Sequence, residues 1–219
     1  MSFQNLKSFD RELARLNALA DSEDASFGEQ LKAEQEREQK AREFANKQRD
    51  IERLGGLRAY IQFTADSYDN KNIIERLSQF PKQDYFVWGT TGSGKTHAAI
   101  AVSRNDYYAQ LVRMADIARE IRACEHALEE KAIIDKYAAM PMVLDDLGSE
   151  KITEFVQNIL YEIIDKRWRN MTTGLIITSN YDLKQLTNIV GDRIVSRIIG
   201  LVGSNVIHLT SPDGRRNTK

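Results

Sequence analysis

The apolar positions along the chain fall into two regimes. Between Phe3 and Ala20 they recur at steps of three and four (Phe3, Leu6, Phe9, Leu13, Leu16, Ala20), which draws one stripe along a helix. The stretch 21–28, DSEDASFG, is small and acidic and reads as a break. From 29 to 53, 14 of 25 residues are charged and the large apolar ones reduce to Leu31, Phe44 and Ile51, so this helix reads as a solvated arm, closed by Gly55 and Gly56. From about Leu57 the regime changes, and apolar runs of four to eight residues alternate with amphipathic stretches, the pattern of a parallel sheet covered by helices. Strands are predicted at 85–88, 110–113, 142–145, 175–178 and 206–209. Helices are predicted at 70–79, 95–108, 114–137, 153–170 and 183–190, with a short one over 192–199.

This predicts an α/β fold with a five-stranded parallel sheet, preceded by a helical arm. The length of 219 residues suits one such domain, here 55–219, and an N-terminal arm, 1–54, that binds a partner. Charge narrows the function classes. The 31 Lys and Arg balance 32 Asp and Glu, giving net −1 and a pI near 6.3, so binding of nucleic acid by bulk charge is excluded and any such contact must be a local patch. The single cysteine, Cys124, excludes an intrachain disulfide framework and a multi-cysteine zinc site. The opening residues MSFQNLKSFDREL lack the features of a signal peptide, and no apolar run approaches the roughly 20 residues of a membrane span. A cytoplasmic protein without membrane contact is the expectation.

Four segments carry chemistry. The first, Gly89, Thr90, Thr91, Gly92, Ser93, Gly94, Lys95, Thr96, is a complete G-x-x-x-x-G-K-[ST] match, set between the apolar strand 85–88 and the helix-forming run from His97. Backbone amides of such a loop converge on a polyphosphate, Lys95 reaches the outer phosphates, and the Thr96 hydroxyl can ligate magnesium. ATP and Mg2+ are the cofactors this predicts. The second, Met142 to Gly148, is an apolar strand ending in Asp145 and Asp146. Its first acid suits the metal shell and its second can polarise an attacking water, although such a pair also caps helices. The third, Leu175 to Asn180, ends a strand in small polar residues. Asn180 can orient water and sense the γ-phosphate there, and Asn180 or Asp182 can instead cap the next helix. In the fourth, 191–200, Arg193 and Arg197 are four apart and share a helical face. They either solvate that face or present a cation to a neighbouring subunit's phosphates, a role for which Arg197 is the stronger candidate.

Together, GTTGSGKTH (89–97), VLDDLG (143–148), IITSN (176–180) and GDRIVSRI (191–198) resemble the AAA+ helicase loaders of the DnaC and DnaI type, with the IstB transposition ATPases as close relatives. The resemblance covers about 54–216 and implies a minimal lid, since little chain follows the last strand. It implies that Arg197 matches the arginine finger, Arg193 the basic residue one turn earlier, and Arg215, or Arg216, the C-terminal sensor. His97 stands where the family often has His, and Asp165 and Arg167 match a helix ending in Asp-x-Arg. One departure is Asp146 in place of Glu. The resemblance implies a slow, partner- or DNA-stimulated ATPase that loads a hexameric replicative helicase, self-assembles into a ring or spiral, and contacts single-stranded DNA near Arg119, Arg122, Lys131 and Lys136. Those cations are interleaved with Glu120, Glu125, Glu129 and Glu130, so a solvated mixed-charge helix competes with that last reading. A transposase-helper ATPase and a non-hydrolysing ATP-gated scaffold remain open alternatives. Cys124, Trp88 and Trp168 are expected to pack, and His126 and His208 are too scattered for a metal site.

Overall fold

A computed structural model describes residues 70–104 and 109–210, and Gln39. All but Gln39 belong to the second of two units into which the chain divides, Asp50–Lys219. Five strands, β1 (Tyr85–Gly89), β2 (Gln110–Val112), β3 (Met142–Leu144), β4 (Leu175–Ser179) and β5 (Val206–Leu209), form one sheet in the order β2-β3-β4-β1-β5, every pairing parallel. The strands are nearly continuous apolar runs because both faces are covered. Alternation sorts them. Phe86, Leu144, Leu175 and Ile177 point into one core, while Tyr85, Val87, Val143, Ile176 and Ile207 point into the other.

The second core is closed by α1 (Lys71–Arg76) and α2 (Lys95–Ser103), the latter buried along almost its whole length. The first core takes five helices: α3 (Met114–Arg122), α4 (Ala127–Ala139), α5 (Glu154–Asn170), α6 (Leu183–Val190) and α7 (Asp192–Val202). The expected helix over 114–137 is therefore two helices. Ile121 and Ile134 both enter this core, yet 13 residues along one straight helix would rotate the second about 220° from the first. The chain breaks at Ala123–His126 to bring both inward, and Glu129 accepts the Glu125 N–H across the break. The lapse is visible in sequence, since Leu128 is the one large aliphatic between Ile121 and Ile133 and it is exposed. Of the expected helix over 95–108, the described part ends at Ser103, and 105–108 lie outside the described residues. The expected 70–79 helix is shorter and the 192–199 helix longer than predicted.

Helix α5 binds the layers together through two side chains two residues apart, which a helix turns about 200° from each other. Arg167 is fully buried. It donates to the carbonyls of Tyr137 (3.0 Å), Met140 (2.8 Å) and, from Nη2, Thr173 (3.1 Å), and so caps the end of α4, whose last carbonyls lack helical partners. Burial pushes its guanidinium down to about 10, opposed by the carboxylate of Asp84, which itself accepts the Leu175 N–H at 2.8 Å. Asp165 faces the other way, toward α7. Among the described residues no helix is long and apolar enough to cross a membrane.

Replacing Arg167 with leucine should strand these carbonyls and leave Asp84 without its cation. Urea unfolding followed by circular dichroism should show a loss on the order of 3 kcal/mol. A loss below about 1 kcal/mol would contradict this role.

Candidate functional site

The parallel strands deliver their C-terminal ends to one edge of the sheet, and the polar residues of the first three segments gather there. β1 runs into the loop Gly89–Thr96. A Cβ on Gly89 would lie well inside van der Waals contact distance of the Leu209 carbonyl oxygen, so close pairing with β5 requires glycine at that position. Gly92 (φ 82°) and Gly94 (φ 89°) carry the left-handed backbone that curls the loop into the start of α2. Such a succession of turns lines an anion-binding concavity at a helix N-terminus. Thr90 and Thr91 lie on its exposed rim, and His97 is half-buried in the first turn of α2. Lys95, only 6% exposed, donates to the carbonyls of Gly89 (2.8 Å) and Thr90 (2.9 Å) and to Asn180 Oδ1 (2.9 Å).

Asp145 follows β3 directly and is buried. Its Oδ1 accepts two hydroxyls, Thr96 Oγ1 and Thr178 Oγ1, each at 2.8 Å, while Arg113 Nε lies 4.0 Å from Oδ2. Burial raises its carboxyl above the usual carboxylate range, opposed chiefly by those two hydroxyls. Asp146 adopts a positive φ of 57°, uncommon outside glycine, and its N–H donates to Thr178 Oγ1 at 2.8 Å. Asn180 Nδ2 donates to Asp146 Oδ1 at 3.0 Å. The side chain of Asn180 therefore bridges Lys95 and Asp146 and leaves Asp146 Oδ2 without a hydrogen-bond donor among the described residues. Asp182, not Asn180, caps α6, in a reciprocal capping box with Gln185. Thr153, not the acidic pair, caps α5.

Thr178 is a member that sequence reasoning missed. It donates to Asp145 and accepts from Asp146, so one hydroxyl sets both acids. The signal was its place near the end of β4, two residues before Asn180.

These residues fit a nucleoside triphosphate. Ser93 Oγ, in the floor of the loop, is buried with no hydrogen-bond partner, and the loop backbone is curled for an anion. They also fit a divalent cation, since the Thr96 hydroxyl and Asp145 carboxylate are adjacent hard oxygens. Among the described residues no group of three or more His, Cys, Asp or Glu could hold a metal. Phosphate oxygens and water would have to complete such a shell.

The two arginines of the fourth segment are not part of this cluster. Both lie on α7 and reach α5. Arg193 donates to the Tyr161 hydroxyl at 2.9 Å and stacks over its ring, and Arg197 Nε donates to Asp165 Oδ1 at 3.0 Å. They line one open cavity of about 310 Å³ with Tyr161, Asp192 and Ser196. Trp168, expected to pack, is 40% exposed instead, because α5 ends there and its ring carries the Arg197 guanidinium. Trp88 is half-buried and stacks on His208 across the β1–β5 pairing. Arg215 and Arg216 lie outside the described residues.

Of the four cations considered for DNA, Arg119 pairs with Asp116, Lys136 with Glu120, Arg122 stacks on Phe155, and the charge of Lys131 acts on Asp135 one turn along its helix. Cys124 is half-buried, donates toward the Glu120 carbonyl, and has its thiol pushed up by burial and nearby glutamates.

The sheet order, the phosphate loop and the acid at the end of β3 define a P-loop ATP-binding domain of the AAA+ fold. The chain matches the family of IstB-like ATP binding proteins over residues 3–201 and belongs to it. It is similar to the crystal structure of the DnaI (TM-score 0.56, 21% identity, 71% of this chain and 92% of that one). It is also similar to the crystal structure of the DnaC helicase loader (TM-score 0.54, 21% identity, 69% and 99%). In sequence it is 26% identical over 117 residues to the uncharacterized protein YdaV of Escherichia coli (strain K12), a match covering 50% of this chain and 46% of that protein. The chain thus spans less than half the length of this curated relative.

The buried Asp145 has a testable consequence for stability. Because its folded carboxyl holds a proton more tightly than the unfolded chain, its contribution is full below the ordinary value of 3.8 and is lost as pH rises through the folded value. Asp145→Asn, without nucleotide or divalent cation, should therefore unfold at a higher temperature than the parent at pH 7, and the gain should shrink as pH falls toward 4. A lower melting temperature at pH 7 would contradict this.

Proposed function

We propose that this protein is an ATPase that loads a hexameric replicative helicase and assembles on single-stranded DNA as a ring or spiral. The observation that carries the hydrolytic part is the Lys95–Asn180–Asp146 bridge beside the Thr96–Asp145 pair. It sets a phosphate-binding cation, a cation-binding pair and a carboxylate with one open oxygen around one loop. In this reading the amides of 89–94 and the Lys95 ammonium hold the phosphates. Thr96 and Asp145 would hold Mg2+, which would supply charge neutralisation on the phosphates. Asp146 Oδ2 accepts a proton from the attacking water while Asn180 fixes the carboxylate's orientation. Arg197, assisted by Arg193, stabilises charge on a neighbouring subunit's γ-phosphate, and Arg215 senses nucleotide from the C-terminal side.

Helicase loading is supported by the likeness of the fold to the DnaC helicase loader, with residues 1–54 as the partner-binding arm. The match to the IstB-like family favours a second reading, in which the same ATPase serves a transposase on duplex DNA.

Two measurements separate these readings. The mass of the full chain mixed with a hexameric replicative helicase, or with a transposase, with and without ATP and magnesium, should show a nucleotide-strengthened complex with the helicase. Binding to the transposase alone would replace the first reading with the second. Asp146→Ala should lower turnover by about 100-fold or more while ATP still binds. Unchanged turnover would assign activation of the water to a residue other than Asp146, and no turnover by the parent chain itself would favour a non-hydrolysing, ATP-gated scaffold.

A further inference from the structure

The surroundings of Arg197 are more elaborate than an exposed arginine requires. Its guanidinium lies 3.9 Å from the Trp168 ring centroid, the geometry of a cation over an indole face. Its Nε donates to Asp165 Oδ1, and Asp165 is itself buried on α5. The second carboxylate oxygen of Asp165 pairs with Arg169, and Asp165 holds Arg197 through Oδ1 alone, not in the usual forked pairing. Neither terminal nitrogen of Arg197 makes a hydrogen bond among the described residues.

The indole reaches this position because of Gly200. Glycine is a poor helix former, and Gly200 sits inside α7. A Cβ there would meet Trp168 Nε1 at 2.7 Å and Cδ1 at 3.0 Å, so the ring can lie against α7 only over a glycine. Arg193, by contrast, spends a terminal nitrogen on the Tyr161 hydroxyl.

We propose that Asp165, Trp168 and Gly200 form a seat that holds Arg197 by its Nε and its flat face and keeps both terminal nitrogens turned outward, making these three the positioning residues of the arginine that serves a neighbouring subunit. The inference rests on the reading of Arg197 given above. The seat lowers the number of orientations the guanidinium samples before a phosphate arrives, so its contribution falls on turnover in the neighbour and not on nucleotide binding in its own subunit.

Mixed assemblies of full-length chains test this. Donor subunits carry Lys95→Ala, which disables their own nucleotide site, and acceptor subunits carry Arg197→Ala, so turnover in the mixture depends on donor Arg197. Adding Trp168→Ala to the donor should lower that turnover at least tenfold, and Gly200→Ala should lower it by a smaller factor. Trp168→Phe, which keeps a ring face, should recover most of the rate. The same seat substitutions placed in the acceptor should leave turnover, and binding of a fluorescent ATP analogue, within about twofold of the unsubstituted acceptor. Unchanged donor activity of Trp168→Ala, or an equal loss in both roles, would overturn the seat while leaving Arg197 in place. Wild-type turnover by an assembly made wholly of Arg197→Ala chains would instead remove the reading of Arg197, and the seat with it.

Discussion

The side-chain amide of Asn180 is the contact on which the site depends. One group with an acceptor and a donor at fixed separation ties the ammonium of Lys95 to the carboxylate of Asp146. A carboxylate in that position would tether lysine but repel Asp146, and an apolar residue would remove the hydrogen bond that fixes the Asp146 carboxylate and one of the acceptors of Lys95. The amide can do this because β4 lies between β3 and β1 in the sheet. The acids after β3 and the phosphate loop after β1 then flank the end of β4 on either side. Thr178, two residues earlier on that strand, makes the matching link to Asp145 and to the Asp146 backbone. Strand order thus converts three separate sequence segments into one hydrogen-bonded chain.

Helix α5 plays a comparable part on the face of the sheet that α3 to α7 cover. Arg167 closes the end of α4 and the turn before β4, and Asp165 reaches α7. Both are charged groups held almost entirely out of solvent, and each is tolerable only because its partners are fixed by the packing of several elements. A shift of α5 would therefore be felt at two places: the turn leading into the strand that carries Thr178 and delivers Asn180, and the arginines of α7.

Much of this was legible in the sequence, for reasons that differ by residue. The five strands could be read because strands buried on both faces are written as unbroken apolar runs. The phosphate loop could be read because its glycines, lysine and threonine answer to one local geometry that spacing alone records. Trp168 and Gly200 could not be read. Their relation crosses from α5 to α7, and nothing local distinguishes a glycine that admits an indole from one that ends a helix. The break between α3 and α4 left a trace in the lapse of apolar residues after Ile121. No proline or glycine marks it, so continuous helix propensity concealed a requirement set by the core.

In the proposed reading Asn180 aligns a carboxylate for hydrolysis and is not needed to hold nucleotide. Side-by-side measurement of ATP affinity and single-turnover hydrolysis for Asn180→Ala tests it most directly. Affinity is expected to stay within about threefold of the parent, and the hydrolysis rate to fall by about 100-fold. Hydrolysis at the parental rate, or a loss of affinity as large as that of Lys95→Ala, would contradict it.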